Sequence, residues 1–269
     1  MTVINTNIQS LVAQNALQVN GRAMSAAMAQ LATGNRINSA KDDAAGLAVS
    51  ENMGAQIRSL NMAVRNANDG ISLAQTAEGA MTEISDMLQR MRELAVQAAS
   101  GTLSDSQREY LGTEFDALDN QIASTLSNTK WNGFSVLTGG GTDLSFTIQV
   151  GVDAGQTVVV TSKSITIAAS ADISRASNAS SAITEVDTAL GKVNTARASL
   201  GAVINRLASA SDNVTNISQN LSESRSRIRD TDYGAATAEM ARAMIIQQAG
   251  TAVLAQANQM PQTVLALLR

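Results

Sequence analysis

The sequence predicts a mainly α fold: a long antiparallel helical coiled-coil rod with a small β-hairpin patch. Three observations carry this. Counted in sevens from Val186, the positions Val186, Val193, Leu200, Leu207, Val214, Leu221 and Ile228 are all aliphatic, the heptad pattern of a helix that buries one seam against other helices. A second ladder runs through Ile57, Leu60, Val64, Ala67, Ile71 and Ala74 and resumes at Met81, Ile84, Leu88 and Met91. Aromatic residues make up 2% of the 269, and there is one proline; both facts favour long helices over a sandwich or barrel.

The first element is a helix near the amino terminus. Leu17, Met24 and Leu31 step by seven, with Ile8, Leu11 and Met28 alongside. Residues 1–33 carry one charged side chain, Arg22. The Ile57 ladder forms the second helix. Ser104-Asp105-Ser106-Gln107 reads as a capping box that opens a third, with Leu111, Phe115, Leu118, Ile122 and Leu126 at helical spacing. Turn chemistry follows at Asn132-Gly133 and Gly139-Gly140-Gly141. Alternation through Leu144, Phe146, Ile148 and Val150 predicts a strand, with further short strands at Val158–Val160 and Ser164–Ile167, so a β patch is expected near 138–167. Residues 168–180 are rich in Ala and Ser and predict a link to the Val186 ladder. On that ladder the second seam position falls at Ile183, Leu190 and Ile204, then at Arg197, Ser211, Ser218 and Arg225. The last helix carries Ile246, Gly250, Val253, Ala257, Met260, Val264 and Leu267 in steps of four and three.

Charge divides this order into domains. Residues 243–268 carry no charged side chain at all. A solvated helix normally shows Lys and Glu on its outer face; here that face holds Gln247, Gln248, Gln256, Asn258 and Gln259. Two ends with matched periodicity and matched charge depletion predict helices surrounded by other protein or lining a narrow wet channel. The expected division is 1–40 with 235–269 as terminal helices, and 41–234 as a helical rod domain. Gly54, Gly70, Gly79 and Gly250 interrupt the helices at a cost of about 1 kcal/mol each relative to Ala, which predicts close approach between packed helices.

Composition also removes chemistry. The chain has no cysteine and no histidine, so disulfides, thiolate and imidazole metal sites and HExxH motifs cannot be built. No GxxxxGK[ST] phosphate loop is present, and a net charge of -4 argues against a nucleic-acid partner. Asp42-Asp43 reads as helix-cap and dipole partners rather than a catalytic pair. The expectation is a protein that is not an enzyme, with no cofactor and no metal. No basic segment followed by an apolar one marks a cleavable leader, and no run reaches membrane-spanning length. The Asn-x-Ser/Thr triplets at Asn213, Asn216 and Asn220 fall on a ladder helix and do not read as glycan acceptors.

Several stretches are specific beyond their periodicity. Ile37-Asn38-Ser39-Ala40-Lys41-Asp42-Asp43-Ala44-Ala45-Gly46, Arg65-Asn66-Ala67-Asn68-Asp69-Gly70-Ile71-Ser72 and Gln89-Arg90-Met91-Arg92-Glu93-Leu94-Ala95-Val96-Gln97 resemble amino-terminal motifs of bacterial flagellin. Gln247-Gln248-Ala249-Gly250, Ala255-Gln256-Ala257-Asn258-Gln259 and Pro261-Gln262 resemble its carboxyl-terminal ones, and Asn132-Gly133 with Ile148-Gln149-Val150-Gly151 its middle. The match runs along nearly the whole chain in the right order. The segment at 138–180 stands where many flagellins carry large outer domains, so the resemblance is to a short form.

The resemblance implies a structural subunit that polymerises into the extracellular filament for swimming motility, exported by the flagellar type III route. The alternative is a hook–filament junction protein, which shares the terminal helices. It implies inner-tube packing by Leu17, Met24, Leu31, Ile246, Val253, Met260, Val264 and Leu267. It implies an export chaperone on the carboxyl-terminal helix, with filament cap and hook-junction proteins as further partners. It also implies a surface at Gln89, Arg90, Leu94, Gln97 and Glu114 that contacts neighbouring protofilaments or Toll-like receptor 5, with the Arg90 guanidinium beside an exposed Leu94.

Overall fold

The computed structural model describes residues 6–139, 141–165 and 173–267, with residues 261–267 described by backbone only. Among these residues the chain forms five helices and two small antiparallel sheets. It divides into two compact units, Met1–Ala55 with Asn220–Arg269, and Gln56–Gln219. The helices are α1 (Ile8–Thr33), α2 (Ala44–Ala98), α3 (Asp105–Asn128), α4 (Ala176–Arg229) and α5 (Tyr233–Leu267). The strands are β1 (Lys130–Trp131), β2 (Phe134–Ser135), β3 (Leu144–Gln149) and β4 (Thr157–Ser162).

Within Gln56–Gln219 the long helices pack antiparallel, as their cross-pairs show. Asn61 meets Ser218 (3.2 Å), Glu78 meets Arg197 (3.9 Å) and Arg92 meets Asp187 (2.6 Å), so α2 and α4 run in opposite directions. The core between them takes Leu88, Met91, Leu94, Val193, Leu200 and Leu207, with Phe115 and Ile122 from α3. Every residue of the second ladder from Met81 to Met91 is buried, as are Val186, Val193, Leu200, Leu207 and Val214. The other seam position differs from expectation. Ile183, Leu190 and Ile204 are half-buried, while Ala179, Ala182, Ala189, Ala196 and Val203 are buried. Small side chains let the backbones approach, so alanine rather than the larger aliphatics fills the contact line.

The capping box opens α3 as the sequence predicts: Ser104 accepts from the Gln107 backbone, and the Gln107 side chain accepts from the Ser104 backbone. Next to it stands a residue that periodicity does not flag. Arg108 is 6% exposed. Its Nε donates to Ala98 O (2.8 Å), its Nη2 to Ser100 O (2.9 Å), and its Nη1 pairs with Asp105 (2.9 Å). One guanidinium thus satisfies carbonyls left open at the end of α2 and ties the α2–α3 connection together.

The β patch is a pair of hairpins. Lys130 pairs with Ser135 and Trp131 with Phe134 around Asn132-Gly133, whose φ values are 47° and 84°; two positive φ values are what a two-residue I′ turn requires. The second hairpin runs from Leu144↔Ser162 to Gln149↔Thr157. Lys163, Ser164 and Ile165 lie outside any strand, and the remainder of the strand expected at Ser164–Ile167 lies outside the described residues. The hairpin seats on the helices at Gly70, where a Cβ would lie 3.1 Å from Ile148 and 3.2 Å from Leu207. Asn66 donates to Gln149 O (3.2 Å) one turn away. This is the close approach expected of a helical glycine. Gly79 does not share it, since a Cβ there would meet nothing within 4 Å.

Beside the patch lies a cavity of about 460 Å³, lined among others by Asp119, Ile122, Leu126, Leu137, Leu144 and Ile165. Burial, and secondarily Asp116, pushes the Asp119 carboxyl above its ordinary pKa. A raised folded-state pKa means the folded chain holds this proton more tightly than the unfolded one, so stability falls as pH rises through that pKa. Asp119→Asn should therefore raise the melting temperature at neutral pH, with the gain vanishing below the ordinary carboxylate range. Melts at the two pH values check this, and an equal gain at both would refute it.

Candidate functional site

The unit of Met1–Ala55 with Asn220–Arg269 is built around α1 and α5, which pack antiparallel. Asn7 Nδ2 donates to Ala257 O (2.7 Å), and Asn20 Nδ2 donates to Ala243 O (2.8 Å) and Gln247 Oε1 (3.2 Å). Between them a Cβ at Gly250 would lie 2.6 Å from Leu17 Cδ2. The Gln-Gln-Ala-Gly motif thus serves as the seat for α1. Asn20 is buried at a seam position, the device by which a polar side chain fixes helix register. Periodicity alone misses Asn7 and Asn20; Asn7 is the N-cap of α1, whose side chain accepts from Ser10 N, and Asn20 is an amide on the helix face that carries the apolar seam.

Leu17, Met24 and Leu31 are half-buried on the face of α1 that carries Ser10, Asn20 and Ala27. The expected seam of α5 holds at Gly250 and Ala257 and is displaced at its larger residues. The line facing α1 is Ala236, Ala243, Gly250 and Ala257, in steps of seven, with Met240, Gln247 and Leu254 half-buried between. Ile246, Val253 and Met260 are 46%, 59% and 43% exposed. Alanine and glycine permit the close spacing, which turns the larger side chains outward. The side chains of Val264 and Leu267 lie outside the described residues. With Ile8, Leu11, Val12, Val19 and Met28 on α1 and Met244 and Ile245 on α5, the pair leaves large apolar side chains in water on both helices. Ile8, Val12, Ala16, Val253, Ala257 and Met260 line one groove of this surface.

The turn between α1 and α2 shows why its motif is specific. Gly34 ends α1 at φ 71°. Arg36 N donates to Arg229 O (2.6 Å), Thr231 N to Gly34 O (2.9 Å), and Arg229 pairs with Glu51 (2.6 Å). Asp42 takes the Ser39 hydroxyl (3.0 Å) and the Ser39 and Asn38 backbone N–H groups, and these bonds, the hydroxyl's first, hold its carboxyl below the ordinary carboxylate pKa. Asp43 accepts from Gly46 N (2.8 Å) at the start of α2, and a Cβ at Gly46 would meet the Asp43 and Ile37 side chains, which would have to shift. Asp42 and Asp43 are turn and cap residues, as the sequence suggests.

On the Gln89–Gln97 segment of α2 the structure brings together Arg90 and Glu114, from α2 and α3, at 2.9 Å, with Glu93 at 3.0 Å on the same guanidinium. Glu114 first and Glu93 second raise the Arg90 pKa further above its ordinary value. Gln89 and Gln97 are exposed on the same segment. Leu94 corrects the expectation. It is 1% exposed, because it lies beside Met91, Ala95 and Ala98 on the face that packs into the core. The apolar side chain in water here is Val96, grouped with Gln89, Arg92, Glu93 and Gln97 around a shallow depression.

No described helix is long and apolar enough to cross a membrane. Family comparison adds to this geometry. The bacterial flagellin N-terminal helical region matches residues 4–142, and the bacterial flagellin C-terminal helical region matches residues 183–268. The chain is 44% identical over 273 residues to the flagellin of Halalkalibacterium halodurans, covering 99% of this chain and 100% of that one. It is 31% identical over 381 residues to Flagellin A of Vibrio anguillarum, covering 100% of both. Among solved structures, Bacillus cereus flagellin is 31% identical, with 56% of this chain and 88% of that one covered at a TM-score of 0.48. A putative flagellar hook-associated protein from Vibrio parahaemolyticus shares the fold at a TM-score of 0.60 and 15% identity, covering 70% of this chain and 100% of that one. The family regions take in both long-helix segments and both ends, and this chain belongs to the bacterial flagellin family.

Proposed function

We propose that this chain, a structural subunit of the flagellar filament by its family, polymerises through the faces that α1 and α5 leave uncovered. The observation that carries the reading is the exposure of Ile246, Val253 and Met260 opposite an alanine seam. Apolar surface of that kind on charge-poor helices marks an interaction site. In this reading residues 1–40 and 235–269 form the inner tube, 41–234 form the surrounding rod, and Val264 and Leu267 extend the same contact. Full-length identity to a flagellin at 44% favours the filament subunit over the hook-junction alternative, whose likeness is one of fold at 15% identity. The role is structural rather than enzymatic. Purified monomer should elongate sheared filament seeds, and failure to do so under conditions where a known flagellin elongates would overturn the reading.

The partners follow from the same surfaces. Before export the apolar face of α5 needs cover, which an export chaperone supplies; cap and hook-junction proteins meet the same helices at the filament ends, after export by the type III route. The exposed Gln89, Arg90, Gln97 and Glu114 form the surface offered to neighbouring protofilaments or to Toll-like receptor 5, with Leu94 holding that helix from within. Arg90→Ala should strongly weaken signalling by monomer in a receptor reporter assay without moving the melting temperature. A silent wild-type monomer would remove the receptor from this list.

A further inference from the structure

The chain contains two Asn-Gly steps, Asn20-Gly21 and Asn132-Gly133, in opposite surroundings. Such a step has its own chemistry. The backbone nitrogen after an asparagine can attack the side-chain amide carbon once it has lost its proton, and glycine leaves that nitrogen unshielded because it has no Cβ. Fixed helical backbone prevents the approach, and a mobile turn permits it.

Asn20-Gly21 is held. It lies inside α1, Asn20 is 8% exposed, and its Nδ2 is committed to Ala243 O and Gln247 Oε1. Asn132-Gly133 is the reverse. Both residues are exposed at the tip of the first hairpin with positive φ. A Cβ at Gly133 would meet nothing within 4 Å, and no described hydrogen bond restrains the Asn132 side chain. The ladder beneath has two residue pairs, closed at its base by Val136 N donating to Thr129 O (3.2 Å). A two-stranded ribbon this short is marginally stable by itself, so its tip opens at low free-energy cost.

We propose that Asn132 is a site of spontaneous deamidation, with water as co-reactant, at which the subunit acquires an isoaspartyl linkage. Gly133 N loses its proton to hydroxide and forms a bond to Asn132 Cγ. The Cγ–Nδ2 bond breaks, and the nitrogen leaves with a proton from solvent as ammonia, giving a cyclic imide. Water then opens the ring. Opening at Cγ leaves aspartate, whereas opening at the main-chain carbonyl leaves the chain running through the side chain as isoaspartate. One water enters, one ammonia leaves, and nothing is oxidised or reduced. The isoaspartyl form adds one methylene to a turn whose register, Trp131↔Phe134, allows two residues of ordinary length. It also places a carboxylate beside Phe134, which is 66% exposed.

The test is incubation of the purified full chain at mildly alkaline pH. Peptide mass mapping and enzymatic methylation of isoaspartate then read each Asn-Gly step. Isoaspartate should accumulate at Asn132 at least about tenfold faster than at Asn20, the difference set by local opening, and faster as pH rises because the attacking nitrogen must be deprotonated. Asn132→Gln should abolish the methyl-acceptor signal from this segment, since the longer side chain closes a less favourable ring. A synthetic peptide of residues 129–136 serves as reference. An unmodified Asn132 after the peptide has converted would overturn the proposal, and so would conversion of Asn20 at a comparable rate.

Discussion

A chain ending at residue 234 should lose seeded polymerisation completely while its central unit stays folded. The cover on α1 is α5, which presents Ala236, Ala243, Gly250 and Ala257 to it. Removing α5 leaves Leu17, Met24 and Leu31 without that contact and leaves the amides of Asn7 and Asn20 without their acceptors. The remaining apolar stripe of α1 cannot offset backbone ordering at about 1–2 kcal/mol per residue, so helix is lost at both ends. Among the described residues, the core of the central unit is drawn from residues 67–207 and from none of this pair. Circular dichroism should therefore show helix lost without a shift in the main melting transition, and the export chaperone proposed above should no longer co-purify. Growth of seeds by the truncated chain would refute the assembly reading, and retained chaperone would place its site elsewhere.

Leu94→Ala should lower the melting temperature steeply. Leu94 packs fully inside the α2–α3–α4 core, and truncating a buried leucine costs about 2–5 kcal/mol through lost transfer energy and the cavity left behind. In a domain of this size that corresponds to a drop of about 4–20 °C. The same substitution would silence a receptor assay for a reason unrelated to contact. Arg90→Ala separates the two effects, since its partners Glu93 and Glu114 are exposed and solvent replaces the lost guanidinium around them. A Leu94→Ala chain that melts like the parent would show that the side chain is not packed as described.

The departures in the seams of α4 and α5 share one cause. A search for aliphatic residues at heptad spacing finds Val186 to Val214 because large buried side chains carry the signal. It passes over Ala182, Ala189 and Ala196 on α4 and Ala236 and Ala243 on α5, because alanine is common on every helix face. Yet these positions set the helix contacts. Wherever alanine forms the contact line, the larger neighbours are rotated away from it: Ile183 and Leu190 partly, Ile246 and Val253 into water. Leu94 departs from expectation for a related reason. Arg90, Leu94 and Gln97 lie four and three apart, but buried Met91, Ala95 and Ala98 place Leu94 on the packed face itself. The capping box at Ser104, the turn at Asn132-Gly133 and the close approach at Gly70 were legible because each rests on local geometry. The clamp made by Arg108 was not, since an arginine in the first turn of a helix gives no sign that its target is the preceding helix.

The Asn20–Ala243 hydrogen bond joins residues 223 positions apart. Pairings between α2 and α4 close shorter loops, such as the 157 positions between Asn61 and Ser218. Closure entropy grows slowly, by about 0.6 kcal/mol per doubling of the loop, so the order of synthesis rather than loop length sets this pair apart. In a chain made from its amino end, α1 therefore waits for residues 233–267 before it has anything to pair with. On the assembly reading proposed above, a subunit that lacks residues 233–267 lacks half of the joining surface. Joining then requires both helices at once, and a fragment that holds one of them stays outside the polymer.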